Sequence, residues 1–329
     1  MKRFDLKYYV DGLKAQNNVI LAQAITLVES KRVEDQKMAD QLLNEVIQDS
    51  TPSIRVGITG TPGVGKSSFI EGFGTYLIDQ GKKVAVLAID PSSQRTGGSI
   101  LGDKTRMETL SRHPMAYIRP SASGNTLGGV NNRTREAVLL CEVAGFDAII
   151  VETVGVGQSE TLVNNMVDFF LLMIQPGSGD DLQGIKKGIM EMAHGIVINK
   201  ADGDQAKLAR QSKKDLLSAL HLFAASETGW STQVELCSAL EKTGFESVWQ
   251  MIASFQKEMI SNGLFYQNRS DQNLTWFEDR VNFGILQQLA DQPHLKALRQ
   301  ELELKVKQNE LSVSKATIEM LDRVKQLLA

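Results

Sequence analysis

The sequence predicts an α/β protein, a mostly parallel central sheet flanked by helices, with helical extensions at both ends. Three observations lead there. Between Ile54 and about Ile260, short apolar runs alternate with helix-like stretches, the pattern of a parallel sheet covered on both faces. The first run, Ile54 to Ile58, leads into a glycine-rich turn and then a helix-like stretch, Phe69 to Ile78. Residues 1–50 and 263–329 lack such runs and space their apolar residues for helices.

In order, Ile20, Leu21, Ala24, Ile25 and Val28 form a helical stripe in the first region, and Thr51-Pro52-Ser53 ends it. Strands are expected at Ile54–Ile58, Val84–Ile89, Ala148–Val151, Phe169–Ile174 and Gly195–Ile198, each short and apolar enough to be a buried parallel strand. A helix is expected from Gln205 to Leu220. Beyond Asn262-Gly263, Trp276, Val281, Ile285, Leu286 and Leu289 again share one helical face. The expected domains are an amino-terminal helical extension (1–50), a nucleotide-binding domain (51–262) and a carboxyl-terminal helical arm (263–329).

The turn after the first strand reads Gly60-Thr61-Pro62-Gly63-Val64-Gly65-Lys66-Ser67, followed by Ser68. This is a complete phosphate-binding loop in its strand–loop–helix context, and it predicts a P-loop NTPase fold. Glycines let successive N–H groups face phosphate oxygens, and the following helix adds partial positive charge. Lys66 would reach the β- and γ-phosphates and Ser67 would ligate Mg²⁺. Asn199-Lys200-Ala201-Asp202 ends a later strand, placing Asp202 at the carboxyl edge of the sheet, where α/β ligands bind. A carboxylate there accepts both N1–H and N2–H of guanine, a pair adenine does not offer. The ordinary alternative for Asp202 is a helix N-cap. Asp90, Asp103 and Glu152 follow or end strands or lie in a glycine-rich stretch, and they compete for places around magnesium; taken singly, each also reads as a cap or a solvated charge, and for Asp103 the two readings are about even.

Composition narrows the class. In 329 residues, 23% are charged and the net charge is −3, so no basic field points to nucleic acid. No run reaches membrane-spanning length. Met1 to Tyr9 resembles neither a secretory nor an organelle leader. Cys141 and Cys237 lack a C-x-x-C partner and suit a reducing cytoplasm.

Four runs then resemble a known family: Asp90-Pro-Ser-Ser, Val151 to Glu160, Gln175 to Gly188, and Asn199 to Asp204, with Ala24 to Ser30 near the amino terminus. They are similar to the methylmalonyl-CoA mutase-associated GTPases (MeaB, also called ArgK), of the signal-recognition and metallochaperone branch, and the likeness covers nearly the whole chain. The resemblance implies a GTPase that binds GTP and GDP with Mg²⁺ on Ser67, Asp103 and Glu152. It implies that Asp90 orients or activates water, and that Asn199, Lys200 and Asp202 hold guanine with help from Ser238, Ala239 and Leu240. It further implies a homodimer paired through the carboxyl-terminal arm, and a B12-dependent acyl-CoA mutase as client, whose adenosylcobalamin loading and protection the GTPase gates. Gln158, Asp180, Asp181 and Lys187 would couple nucleotide state to that client; from the residues alone, Asp180 or Asp181 is equally a helix N-cap. Ser68, Asn131, Asn132 and Gln205 depart from the family pattern.

Two other classes fit the sequence less well. A metal-delivery GTPase would need clustered ligands, and His113, His194, His221 and His294 are scattered. An ATP-dependent kinase of amino-acid transport conflicts with the guanine motif.

Overall fold

The computed structural model describes residues 4–49, 53–89, 107–120, 127–153, 159–177, 187–221 and 228–328. Within them the expected sheet is present and extends further at both edges. Its strands are β1 (Ile54–Gly60), β2 (Val84–Ile89), β3 (Ala116–Pro120), β4 (Ala148–Thr153), β5 (Phe169–Ile174), β6 (Gly195–Ile198) and β7 (Gln233–Leu236). They lie in the order β3-β2-β4-β1-β5-β6-β7, and every pairing is parallel. The edge strands β3 and β7 were not expected. Arg119 and Pro120 interrupt one, Gln233 and Glu235 the other, as befits edges that see solvent on one side.

The buried central strands divide their residues between two cores by simple alternation. Ile149 and Val151 of β4 join a cluster with the amino-terminal helices and α6 (Leu127–Val143). Ala148 and Ile150 join the opposite cluster, with α4 (Lys66–Asp79) and α10 (Phe245–Ser261). α5 (Glu108–Arg112) joins this second cluster through Leu110, whereas α7 (Ser159–Asn164), α8 (Lys187–Met192) and α9 (Ala206–Leu220) pack into the first.

The amino-terminal helices α1 (Leu6–Lys14), α2 (Asn18–Val28) and α3 (Val33–Val46) share that first core. The first two start under side-chain caps: Asp5 accepts from Tyr8 N at 2.9 Å, and Asn17 from Val19 N at 2.9 Å. Leu21, Ala24, Ile25 and Val28 of the predicted stripe are buried. Arg119 of β3 pairs with Glu29, and Arg133 of α6 donates to Glu29 O, tying the end of α2 to two elements of the sheet layer.

The chain divides into two compact units, Met1–Gln272 and Asn273–Ala329. α11 (Leu264–Ala290) has its first turns in the larger unit and its remainder in the smaller. The smaller unit also holds α12 (Pro293–Lys307) and α13 (Val313–Leu328), which bury Leu295, Leu302 and Ala316.

The first turns of α11 are held by charge. Arg269 donates to both carboxylate oxygens of Asp168, at 2.7 Å each, and to Ser53 O at 2.8 Å. Arg55 of β1 forks onto Glu142 of α6 with two bonds of 2.8 Å, and Ser53 Oγ adds a third at 2.7 Å. Arg269 also approaches Glu142 at 3.2 Å. Burial alone would raise the Glu142 carboxyl, but Arg55, Arg269 and Ser53 outweigh it and hold it below its ordinary value of 4.5. The lowered pKa means this support is complete above the unfolded carboxylate range and is lost as pH falls through the folded value.

Arg269→Ala removes one guanidinium from between buried Asp168 and Glu142, so unfolding free energy should drop by about 3–5 kcal/mol in urea titration. A loss below about 1 kcal/mol would show the network to be energetically idle.

Candidate active site

The phosphate loop curls where the strand register requires it. β1 lies between β4 and β5 at the centre of the sheet, and Ile58 pairs with Glu152. Glu152 therefore arrives two residues upstream of Gly60, on the neighbouring strand. Gly60 ends β1 at φ 155°, and a Cβ there would lie 2.4 Å from Met173 O. Gly65 caps α4 in the left-handed region at φ 93°, where a Cβ would sit 2.7 Å from Asn199 Nδ2. Both glycines are needed for close approach as much as for their dihedrals.

Lys66 opens α4 and is buried, with Nζ donating to Gly60 O at 2.7 Å and Thr61 O at 3.4 Å. Burial lowers its pKa, while the nearby Glu152 and Glu160 carboxylates pull it back up. Ser67 Oγ lies 3.4 Å from Glu152 Oε1. A hydroxyl and a carboxylate converging beside a phosphate loop form a hard oxygen donor pair, the chemistry magnesium prefers. Pro62, Gly63 and Ser68 are exposed along the rim of the loop.

The second half of the site comes from the ends of β6 and β7. Asn199 is 1% exposed. Its Nδ2 donates to Val64 O at 2.8 Å and its Oδ1 accepts from Ala239 N at 3.2 Å. Geometrically it is therefore a brace between the phosphate loop and the 238–240 loop, with both ends of its amide engaged. Lys200 takes the left-handed region at φ 61°, a strained conformation for a residue with a side chain. Its Nζ donates to Gly63 O at 2.7 Å and to Gln175 Oε1 at 2.9 Å. Asp202 precedes a short 3₁₀ turn, Gly203–Gln205, but makes no side-chain cap bond. Its carboxylate instead accepts from Ser238 Oγ, which in turn accepts from Glu241 N at 3.0 Å. The cap alternative for Asp202 thus gives way to a held carboxylate, able to take a pair of N–H donors from a planar base. Leu240, two residues beyond Ser238, stands 84% exposed.

Lys66, Ser67, Glu152, Asn199, Lys200, Asp202, Ser238 and Ala239 are thus linked, directly or through the loop, by the bonds above. Asp90, Asp103, Gln158, Asp180 and Asp181 lie outside the described residues, as does the side chain of Lys187, which begins α8. Two participants were not anticipated from residue chemistry. Glu160 is 5% exposed and acts on the Lys66 charge. Gln175 follows β5 and holds Lys200. Both stand in runs that carried the family resemblance, which was the available signal.

Comparison with known proteins points to one GTPase family. The sequence profile described as "Methylmalonyl Co-A mutase-associated GTPase MeaB" matches residues 21–294. A probable GTPase of Mycobacterium tuberculosis is 47% identical over 317 residues, covering 95% of this chain and 94% of that protein. The GTPase ArgK of Escherichia coli is 48% identical over 301 residues, covering 91% of each. The mouse protein named "Methylmalonic aciduria type A homolog, mitochondrial" is 42% identical over 325 residues, covering 96% of this chain and 78% of that protein. A crystal structure titled LAO/AO transport system kinase superposes with a TM-score of 0.74 at 36% identity, covering 98% of this chain and all of that one.

Asp202→Asn should exchange guanine for xanthine preference, because one acceptor becomes a donor. Direct titration should show GTP affinity falling by on the order of 100-fold while xanthosine triphosphate gains. Unchanged GTP affinity would remove Asp202 from base recognition. Ser238→Ala frees the carboxylate to rotate, and should weaken GDP by about tenfold while leaving tripolyphosphate binding intact.

Proposed function

The chain belongs to the methylmalonyl-CoA mutase-associated GTPase family, and from that premise we propose that its GTP hydrolysis serves a B12-dependent acyl-CoA mutase. In this reading the GTPase gates the loading, protection and reactivation of the mutase's adenosylcobalamin. The observation that supports the client is the family match across residues 21–294.

The site residues divide the work as follows in this proposal. Residues 60–68 cradle the phosphates with backbone N–H groups, and Lys66 supplies a cation to the β- and γ-phosphates. Ser67 and Glu152 would hold magnesium, with Asp103 beside them; the ion would neutralise phosphate charge when bound. Asp202 accepts the N1–H and N2–H donors of guanine, Lys200 and Asn199 keep the base loop against the phosphate loop, and Leu240 covers the base. Asp90 orients water for in-line attack. Hydrolysis by the isolated chain is slow, because supplying missing positioning groups from a partner is worth on the order of 10³–10⁵ in rate.

Gln158, Asp180, Asp181 and Lys187 are proposed to carry nucleotide state to the mutase. An element that couples two sites must differ between states by about 1–3 kcal/mol. Assembly is proposed to be a homodimer through the smaller unit. In support, Val281 is 41% and Ile285 52% exposed on the apolar face of α11, and a second copy would cover that face. No helix among the described residues is long and apolar enough to cross a membrane. The two cysteines are free and buried, and the reading places the chain in the cytoplasm.

Adding purified methylmalonyl-CoA mutase should accelerate GTP turnover, and Lys187→Ala or Asp181→Ala should remove most of that acceleration while leaving GTP affinity within about twofold. Equal acceleration of wild type and both variants would remove the segment from coupling, and no acceleration of wild type would remove the client. Truncation after Gln272 should give a folded, GTP-binding monomer in a mass-sensitive sizing experiment. A cut at Gly263 also removes Arg269, and should cost a further ~3–5 kcal/mol of stability.

A further inference from the structure

Gln175 is the first residue after β5, and its backbone is fixed on both sides. Ile174 O accepts from Asn199 N at 3.0 Å, which seats the end of β5 beside the base loop. Two residues beyond Gln175, Gly177 N donates to Ser212 Oγ of α9 at 3.0 Å. Gly177 takes the left-handed region at φ 77°, and a Cβ there would lie 2.7 Å from Leu208 Cδ2 of the same helix. With anchors one residue before and two after, the backbone of Gln175 has little room to move.

From that position Gln175 Oε1 accepts from Lys200 Nζ at 2.9 Å, and the same ammonium donates to Gly63 O at 2.7 Å. An ammonium only donates, so the oxygen of the amide must face it. The two acceptors stand on different segments, the phosphate loop and the end of β5, and the charge is held between them. A Cβ on Gly65 would lie 4.0 Å from Lys200 Cε, so the stem also runs past Gly65. A flexible lysine stem with one anchor can still pivot; a second acceptor fixes its line across the loop.

A four-carbon stem held in one line is an apolar surface, and this one starts two residues before Asp202. Lys200 is exposed, and a base bonded to the Asp202 carboxylate would lie against its stem and cover it. Once covered, the ammonium loses water and depends on the acceptors the protein gives it. We propose that Gln175 is a positioning residue for guanine nucleotides, acting through Lys200 by holding the stem where the base ring lies. The proposal rests on the guanine reading of Asp202. Asn199 holds the phosphate loop through Val64 O without Lys200, so losing the Gln175 acceptor reaches the base and spares the phosphates.

The test measures GDP and tripolyphosphate affinity by calorimetry and GDP release by stopped flow, all on the full-length protein. Gln175→Met keeps the length and removes the acceptor. It should weaken GDP about tenfold through faster release, with tripolyphosphate within about twofold of wild type and the thermal midpoint unchanged. Gln175→Glu restores an acceptor of the same length and should bring GDP back to within about threefold. In a Lys200→Met background, Gln175→Met should add less than about twofold, since the group it acts through is gone. Gln175→Asn, one methylene short, should weaken GDP as Gln175→Met does, and it carries the test if the methionine variant does not fold. Wild-type GDP affinity in Gln175→Met, an equal fall in tripolyphosphate binding, or an undiminished effect in the Lys200→Met background would each overturn the proposal. So would no recovery in Gln175→Glu. Failure of the unaltered chain to bind GDP would overturn the guanine reading itself, and the proposal with it.

Discussion

One buried amide carries the organisation of the site. Val64 and Asn199 are 135 residues apart in sequence, and Asn199 Nδ2 donates to Val64 O across that distance while Oδ1 accepts from Ala239 N. Asparagine places a donor and an acceptor on two separate atoms of one short side chain; a serine hydroxyl has a single atom for both, aspartate only accepts, and glutamine adds a methylene. The brace also explains Gly65, since any Cβ there would intrude on the amide nitrogen at 2.7 Å. Lys200 adds a second tie to Gly63 O in a strained backbone conformation. Such strain, of the order of 1–3 kcal/mol, persists only where surrounding structure over-determines it.

That surrounding structure is the sheet, whose two edges behave differently. At the carboxyl edge, among the described residues, the phosphate loop meets the base loop through the hydrogen bonds of Asn199 and Lys200. At the amino edge, Arg55, Glu142, Asp168 and Arg269 interlock in a buried network of balanced charge. Removing one member of such a network is costly, although replacing the whole by apolar groups need not be. The network fixes the first turns of α11 against the sheet, so the carboxyl-terminal segment begins from a defined point.

The central strands were legible because they are short, apolar and bounded by turn residues, and the phosphate loop because its spacing is dictated by phosphate geometry. β3 and β7 were not legible. Each is an edge with polar residues inside a run of four or five, too short for alternation to declare itself. The larger unit takes in Phe265, Arg269 and Gln272 beyond Gly263; Arg269 and Asp168 are 101 residues apart in sequence, and no periodicity announces such a partner. Among the site residues, sequence placed Asn199 and Asp202 together at one strand end. Only coordinates distinguish the brace from the held carboxylate, because that distinction rests on which atoms the amide and Ser238 reach.

The central claim is that Asn199 makes one site of two halves, and it is tested by measuring how Asn199→Ala binds tripolyphosphate as well as GTP. A residue that merely touched the base would leave tripolyphosphate affinity as in wild type and reduce only GTP. The brace predicts that both fall, tripolyphosphate by on the order of tenfold and GTP by more, because the loop loses its partner at Val64 O. Wild-type tripolyphosphate affinity in the variant would contradict it.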